Sequence, residues 1–282
     1  MHQGTFLVLF PLPVLEIPFF YKKIFNLLQW AVQRNNFTIE INDLLYEQAI
    51  DLKLPVHKLY SSIQDELYSI NNCKYIFSSH QMAHYVSQKY GINNKNFTTI
   101  INGSNELKDF PDISQIPSCL LSSEIKYVYA GSLNKGRQIE DLILLFRGRK
   151  ELLILVGEWG EWIKDFPTSD NIHYIGKYKE DYALFLVSKC DIGLIPYDET
   201  KFYYNLCYPT KASFYISAGI PFLSTPLKEL IDVFKDYKFA YFVPFLKWET
   251  FIDNNVYRIN INEVKSIVNQ NKSKFYWQSL LR

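Results

Sequence analysis

Apolar positions along the chain alternate between two rhythms. Short runs rich in β-branched and aromatic residues, Phe6–Phe10, Phe37–Ile41, Lys74–Phe77 and Phe97–Ile101, predict strands. Between them, Glu16–Arg34, Lys58–Ile70 and Ser79–Tyr90 place apolar residues at helical spacing, as in Phe20, Ile24, Leu27 and Leu28. After the irregular, Pro- and Ser-containing stretch Gly103–Ser123 the rhythm resumes. Strands are predicted at Ile125–Ala130, Glu151–Val156, Ile172–Ile175, Asp191–Ile195, Pro221–Leu223 and Phe239–Val243. Helices are predicted at Ile139–Phe146, Glu180–Lys189, Lys211–Ala218 and Leu227–Lys235, and Val264–Leu281 reads as a final amphipathic helix. Strands that alternate with helices form parallel sheets, so two α/β domains are expected: 1–112, 113–260, and a closing helix over 261–282.

Composition narrows the class. The chain has 282 residues, 48% apolar and 17% aromatic, which gives about two domains room for real cores and excludes a disordered chain. Thirty basic residues against 29 acidic ones leave a net charge of +1, and the cations are scattered, so no nucleic-acid-binding stripe emerges. Cys73, Cys119, Cys190 and Cys207 form no CxxC pair, which fits reduced thiols in a cytoplasmic protein better than a disulfide framework or a zinc ribbon. No run approaches the roughly 18 apolar residues of a membrane span. Attachment to the inner face of a membrane and self-association stay open.

Open parallel sheets bind ligands at the carboxyl ends of their strands, so the strand-to-helix turns are where chemistry is expected. The turn Tyr129-Ala130-Gly131-Ser132-Leu133-Asn134-Lys135-Gly136-Arg137 puts small residues and two cations before a helix start, where amide groups and the helix dipole favour a phosphate. A Gly-containing turn with solvated cations is the plainer alternative. In Tyr208-Pro209-Thr210-Lys211, Pro209 can preset a helix start, Thr210 can cap it, and the Lys211 ammonium can reach an anion at the helix N-terminus. Cations are disfavoured in a first helical turn, which singles out Lys211.

Five segments in order carry a family resemblance: Tyr129–Gly136, Leu153–Gly157, Asn171–Gly176, Cys190–Tyr197 and Tyr208–Pro221. Together they resemble the nucleotide-sugar half of GT-B glycosyltransferases, close to glycosyltransferase family 4 and Gtf-like bacterial sugar transferases. Upstream, Ile39–Leu44, Tyr75–Ser79 and Thr99–Ser104 resemble the later part of the acceptor-side domain. The resemblance implies two Rossmann-like domains with parallel sheets facing a cleft, the first domain shortened. It implies a nucleotide-sugar donor, a glycan or lipid-linked acceptor, no further cofactor and no metal. Lys135 and Lys211 would neutralise the diphosphate, Gly131 and Ser132 would bring backbone close to it with help from Arg137, and the turn through Gly176 and Tyr178 would border the base. Family members commonly carry an arginine where Ser132 stands and two glutamates where Leu206 and Phe214 stand. A non-catalytic GT-B-like binding or partner subunit is therefore the alternative to an active transferase.

Other residues carry weaker signals. Asp43 follows the strand Phe37–Ile41, where it can cap a helix, act as an acid or base, or meet a sugar hydroxyl. Asp198 and Glu199 read as loop carboxylates. His80 and His84 have the spacing of two zinc ligands, but Gln81 stands where a metalloprotease has its glutamate and no third ligand is evident. Tyr203 and Tyr204 stack on a sugar or cover the loop. A dehydrogenase reading fails because no GxGxxG follows the first strand.

Overall fold

The computed structural model describes residues 5–10, 21–53, 57–108, 116–134, 137–166, 169–255 and 260–282. The chain divides into two compact units, Met1–Ile101 with Thr200–Tyr208, and Asn102–Glu199 with Pro209–Arg282.

The first unit holds β1 (Thr5–Phe10), β2 (Asn36–Ile41), β3 (Cys73–Phe77) and β4 (Phe97–Thr99), paired in parallel in the order β1-β2-β3-β4. Helices Tyr21–Val32, His57–Tyr68 and His80–Tyr90 connect them, with a short helix, Leu45–Asp51, after β2. Alternate side chains of β2 and β3 (Phe37, Ile39, Ile41; Cys73, Tyr75, Phe77) are buried against Leu67, Met82 and Val86. The predicted helix Glu16–Arg34 is seen as Tyr21–Val32; its residues 16–20 lie outside the described part. Ser79 caps helix His80–Tyr90, accepting from the Met82 amide at 3.2 Å.

The second unit holds β5 (Lys126–Ala130), β6 (Leu152–Val156), β7 (Ile172–Gly176), β8 (Ile192–Ile195), β9 (Phe222–Ser224) and β10 (Ala240–Phe242), all paired in parallel in the order β10-β9-β8-β5-β6-β7. Every residue of β5, β6 and β8 is buried, as expected of central strands covered on both faces. The chain builds outward from β5 to β7, returns to β8 on the other flank, and continues to β10. The order therefore reverses between β5 and β8, and the carboxyl ends of these two strands mark the ligand crevice of such a sheet.

Two sequence expectations change. Val264–Leu281 does not form one helix: Ile261–Asn271 is followed by a 3-10 turn at Lys272–Phe275 and a short helix at Trp277–Leu280. The helix breaks because Tyr276 turns extended and bridges Ser104. The Ser104 amide donates to the Phe275 carbonyl at 3.0 Å, and the Trp277 amide donates to the Ser104 carbonyl at 3.1 Å. Second, Thr200–Tyr208, which the sequence places in the second half, packs in the first unit, where Tyr203 and Leu206 join the core. No helix among the described residues is long and apolar enough to cross a membrane.

Candidate functional site

The backbone at the end of β5 is shaped by two glycines. Gly131 has φ +137°, and its amide donates to the Val156 carbonyl at 2.9 Å, so the turn lies against the end of β6. Gly157, next along β6, has φ +146°, and a Cβ there would fall 1.8 Å from the Gly131 carbonyl oxygen. Two backbones meet where no other residue type fits. The Gly157 amide donates to the Gly176 carbonyl at 2.9 Å, which ties the end of β7 to the same corner.

Helix Thr210–Ser217 brings the cation to this corner. Tyr215, fully buried, accepts from the Ala130 amide at 3.0 Å and donates to the Leu194 carbonyl at 3.0 Å, fixing the helix under both β5 and β8. One turn earlier, Lys211 is only 8% exposed. A Cβ on Gly131 would sit 2.9 Å from its Nζ, so the ammonium occupies the space the glycine leaves. Its Nζ donates to the Tyr197 phenol at 3.2 Å and stands 4.9 Å and 5.3 Å from the ring centroids of Tyr129 and Tyr197. Tyr197 is itself held by Thr225, whose hydroxyl donates to the Tyr197 carbonyl at 2.5 Å. Among the described residues no carboxylate pairs with Lys211. Burial opposes the charge, and the facing phenols of Tyr197, Tyr129 and Tyr215 favour it more, so the pKa moves up from the ordinary lysine value. A buried ammonium that faces phenols and, among the described residues, no carboxylate, beside the amide end of a helix, presents the positive charge that attracts anions.

A cavity of about 630 Å³ opens over it within the second unit. Of the sequence-predicted residues, Gly131, Ser132, Arg137, Tyr178, Thr210 and Lys211 line it together. Gly176 and Pro209 are not among its lining residues: Gly176 accepts from the Gly157 amide, and Pro209 precedes the first turn of the Lys211 helix. Thr210 makes no side-chain cap; it is the first helical residue and is exposed. Lys135 and Gly136 lie outside the described residues. Asp43 belongs to the first unit and caps nothing; helix Leu45–Asp51 begins after Leu44, and the Asp43 carboxylate accepts from the Tyr203 phenol instead. Burial, then the neighbouring Cys207 and Asp43, push the Tyr203 phenol up, so it stays protonated and donates. Tyr203 is thereby a buried anchor rather than a sugar platform. His80 and His84 join no group of three His, Cys, Asp or Glu side chains suited to a metal among the described residues.

Several lining residues carried no role in the sequence reading. Glu158 and Lys177 pair at 2.6 Å on the rim, and Trp277, packed over Gly103, supplies a wall together with Phe214. Tyr178 is oriented by its phenol, which donates to the Ile175 carbonyl at 2.7 Å, and by an edge contact with Tyr182 at 5.4 Å.

Neither a protein-family model nor a curated protein sequence matches the chain. Solved structures do. Sucrose-phosphate synthase from Thermosynechococcus elongatus superimposes over 95% of this chain and 76% of its own, with a TM-score of 0.69 at 14% identity. HepE of Anabaena, solved with UDP-glucose, superimposes over 92% of this chain and 74% of its own, with a TM-score of 0.65 at 15% identity. WaaG, a glycosyltransferase involved in lipopolysaccharide biosynthesis, covers 86% of this chain and 73% of its own, with a TM-score of 0.59 at 12% identity. The fold is that of the GT-B glycosyltransferases. The cavity with Lys211 in its lining lies at the β5–β8 reversal, the place where open parallel sheets offer a crevice for ligands.

Proposed function

We propose that the chain is a glycosyltransferase whose second unit holds a nucleoside-diphosphate sugar, with the diphosphate on Lys211 and the Gly131 turn. The observation that carries this reading is the buried Lys211 ammonium, charged and without a carboxylate partner among the described residues, facing a cavity at the switch point of the sheet. HepE of the same fold was solved with UDP-glucose, which makes uridine nucleotides the first probes. Transfer breaks the bond between the anomeric carbon and the phosphate oxygen and forms one to an acceptor hydroxyl. Negative charge grows on the leaving diphosphate. A fixed ammonium, the helix-end amides and the Gly131 backbone stabilise that charge more in the transition state than in the ground state.

In our reading this replaces a divalent ion, the anomeric configuration is retained, and the leaving phosphate oxygen takes the acceptor proton. Lys135 and Arg137 would add positive charge from the same turn, and Tyr178 would border the base. The acceptor would be a surface glycan or lipid-linked intermediate at the cytoplasmic face of a membrane; the likeness to WaaG, involved in lipopolysaccharide biosynthesis, supports the glycan part of this reading. The test is release of nucleoside diphosphate from UDP-, GDP-, ADP- and dTDP-sugars in the presence of a chelator, with Lys211→Ala as control. Release from one donor, lost in the variant, supports the proposal; absence of binding and turnover across the panel overturns it.

A second reading keeps the donor site and drops the chemistry. Phe214 lines the cavity where the family resemblance calls for a glutamate, which removes an acceptor for hydroxyl groups. Nucleotide binding without turnover would support that reading.

A further inference from the structure

A second cavity, of about 440 Å³, opens in the first unit, lined by Gln29, Gln33, Ser69, Ile70, Asn71 and Asn72. Two connections build it. Helix Tyr21–Val32 supplies Gln29 from its last turn and Gln33 just past its end, and the turn after helix His57–Tyr68 supplies residues 69–72. The chain enters β2 at Asn36 and β3 at Cys73, so the cavity lies at the amino ends of these strands, away from the strand-to-helix turns of the same sheet. Asn72 takes φ +61°, a left-handed conformation that asparagine tolerates, and the chain turns there from the helix into β3.

The chemistry of the lining is uniform. None of its residues carries a formal charge, and Gln29, Gln33, Asn71 and Asn72 are carboxamides. All four are exposed, and none of their side chains hydrogen-bonds another described residue. Each carboxamide offers two N–H donors and an acceptor oxygen. The Ser69 hydroxyl donates to the Glu66 carbonyl at 2.8 Å, which leaves its oxygen to accept. Two helices, ending at Val32 and Tyr68, run into the lining segments with their carbonyl ends, and the partial negative charge there disfavours a phosphate or carboxylate ligand. Donors and acceptors together, without charge, suit a ligand made of hydroxyl groups. Trp30, beside Gln29 in the same turn, is 55% exposed and offers an apolar ring to the C–H face of a sugar; the Arg34 guanidinium stands 4.6 Å from its ring centroid.

We propose that the first unit carries a binding site for a neutral glycan in this cavity, with Gln29, Gln33, Asn71 and Asn72 taking its hydroxyl groups and Trp30 alongside. The lining holds no carboxylate, imidazole, amine or thiol, so the site retains a glycan without general acid–base chemistry. It shares no residue with the Lys211 cavity and stands independently of the donor assignment.

The test is titration calorimetry of the full chain with maltohexaose, cellohexaose, laminarihexaose and mannohexaose, and with hexagalacturonate as the charged counterpart. At least one neutral hexasaccharide is expected to bind, and to bind more tightly than hexagalacturonate. Gln29→Ala and Gln33→Ala change exposed side chains and should leave thermal melts unchanged. Each is expected to weaken glycan binding about two- to tenfold, the scale of one hydrogen bond, and the double variant more than either. Parent-like affinity in the double variant places the glycan elsewhere and overturns the proposal. Tighter binding of hexagalacturonate than of every neutral hexasaccharide overturns it as well, and so does the absence of binding by all four at millimolar concentration.

Discussion

Replacing Lys211 by methionine separates what the lysine does for a ligand from what it does for the fold. Methionine has similar length and no charge. In the free protein the ammonium is 8% exposed and is balanced by a 3.2 Å phenol contact and two ring faces. The substitution removes those contacts and the desolvation they offset, so stability should stay within about 1 kcal/mol, a shift of about 2–4 °C in melting temperature for a chain of this size. The ligand has no such compensation. Losing a charge-assisted contact to a diphosphate costs about 1.5–3 kcal/mol, or roughly 10- to 150-fold in affinity. Calorimetric titration with UDP and UMP, paired with thermal melts, reads both quantities. UMP should be less sensitive than UDP, and Lys135→Ala should cost less than Lys211→Met. Unchanged UDP affinity would refute the assignment of the anion site, and a melting temperature lowered by ten degrees or more with intact binding would make Lys211 a structural cation.

Three further outcomes are expected. The folded pKa of Lys211 is raised, so its charge is retained below the unfolded value and lost only as pH climbs through the folded one; UDP affinity should therefore not decline between about pH 6 and 9, whereas a fall toward pH 9 would show that burial outweighs the phenols. Gly157→Ala places a methyl 1.8 Å from the Gly131 carbonyl oxygen at φ +146° and should destabilise the second unit by about 3 kcal/mol or more, measured by denaturant titration. Burial pushes the Cys73 thiol up to about 12 and Cys190 up as well, so alkylation at pH 8 followed by mass spectrometry should label Cys119 and Cys207 first.

Periodicity located the ten strands of the described residues within a residue or two because parallel central strands are unbroken apolar runs, and β5, β6 and β8 are buried at every position. Lys211 stood out for a local reason, a cation in the first turn of a helix, where the dipole disfavours it. Tyr197 and Gly157 carried no role although both lie in segments singled out for their order. Their work depends on non-local contacts, a phenol against an ammonium and one backbone against another, which no local pattern encodes. The place of Thr200–Tyr208 in the first unit escapes a local reading for the same reason. Phe202–Leu206 is a single short helix turn, and only the buried Tyr203 and Leu206, packed in the other unit, reveal its allegiance. The broken C-terminal helix follows this pattern too, since apolar spacing through Val264, Ile267 and Val268 gives no sign that Tyr276 will bridge Ser104.

The most direct measurement is a crystal structure of the chain with the nucleoside diphosphate that binds it tightest in solution. The expected result is a single nucleotide in the second unit, one phosphate oxygen within hydrogen-bond distance of Lys211 Nζ and the other phosphate against the Gly131 turn. A nucleotide bound elsewhere, or one in this cavity whose phosphates turn away from Lys211, would contradict the account.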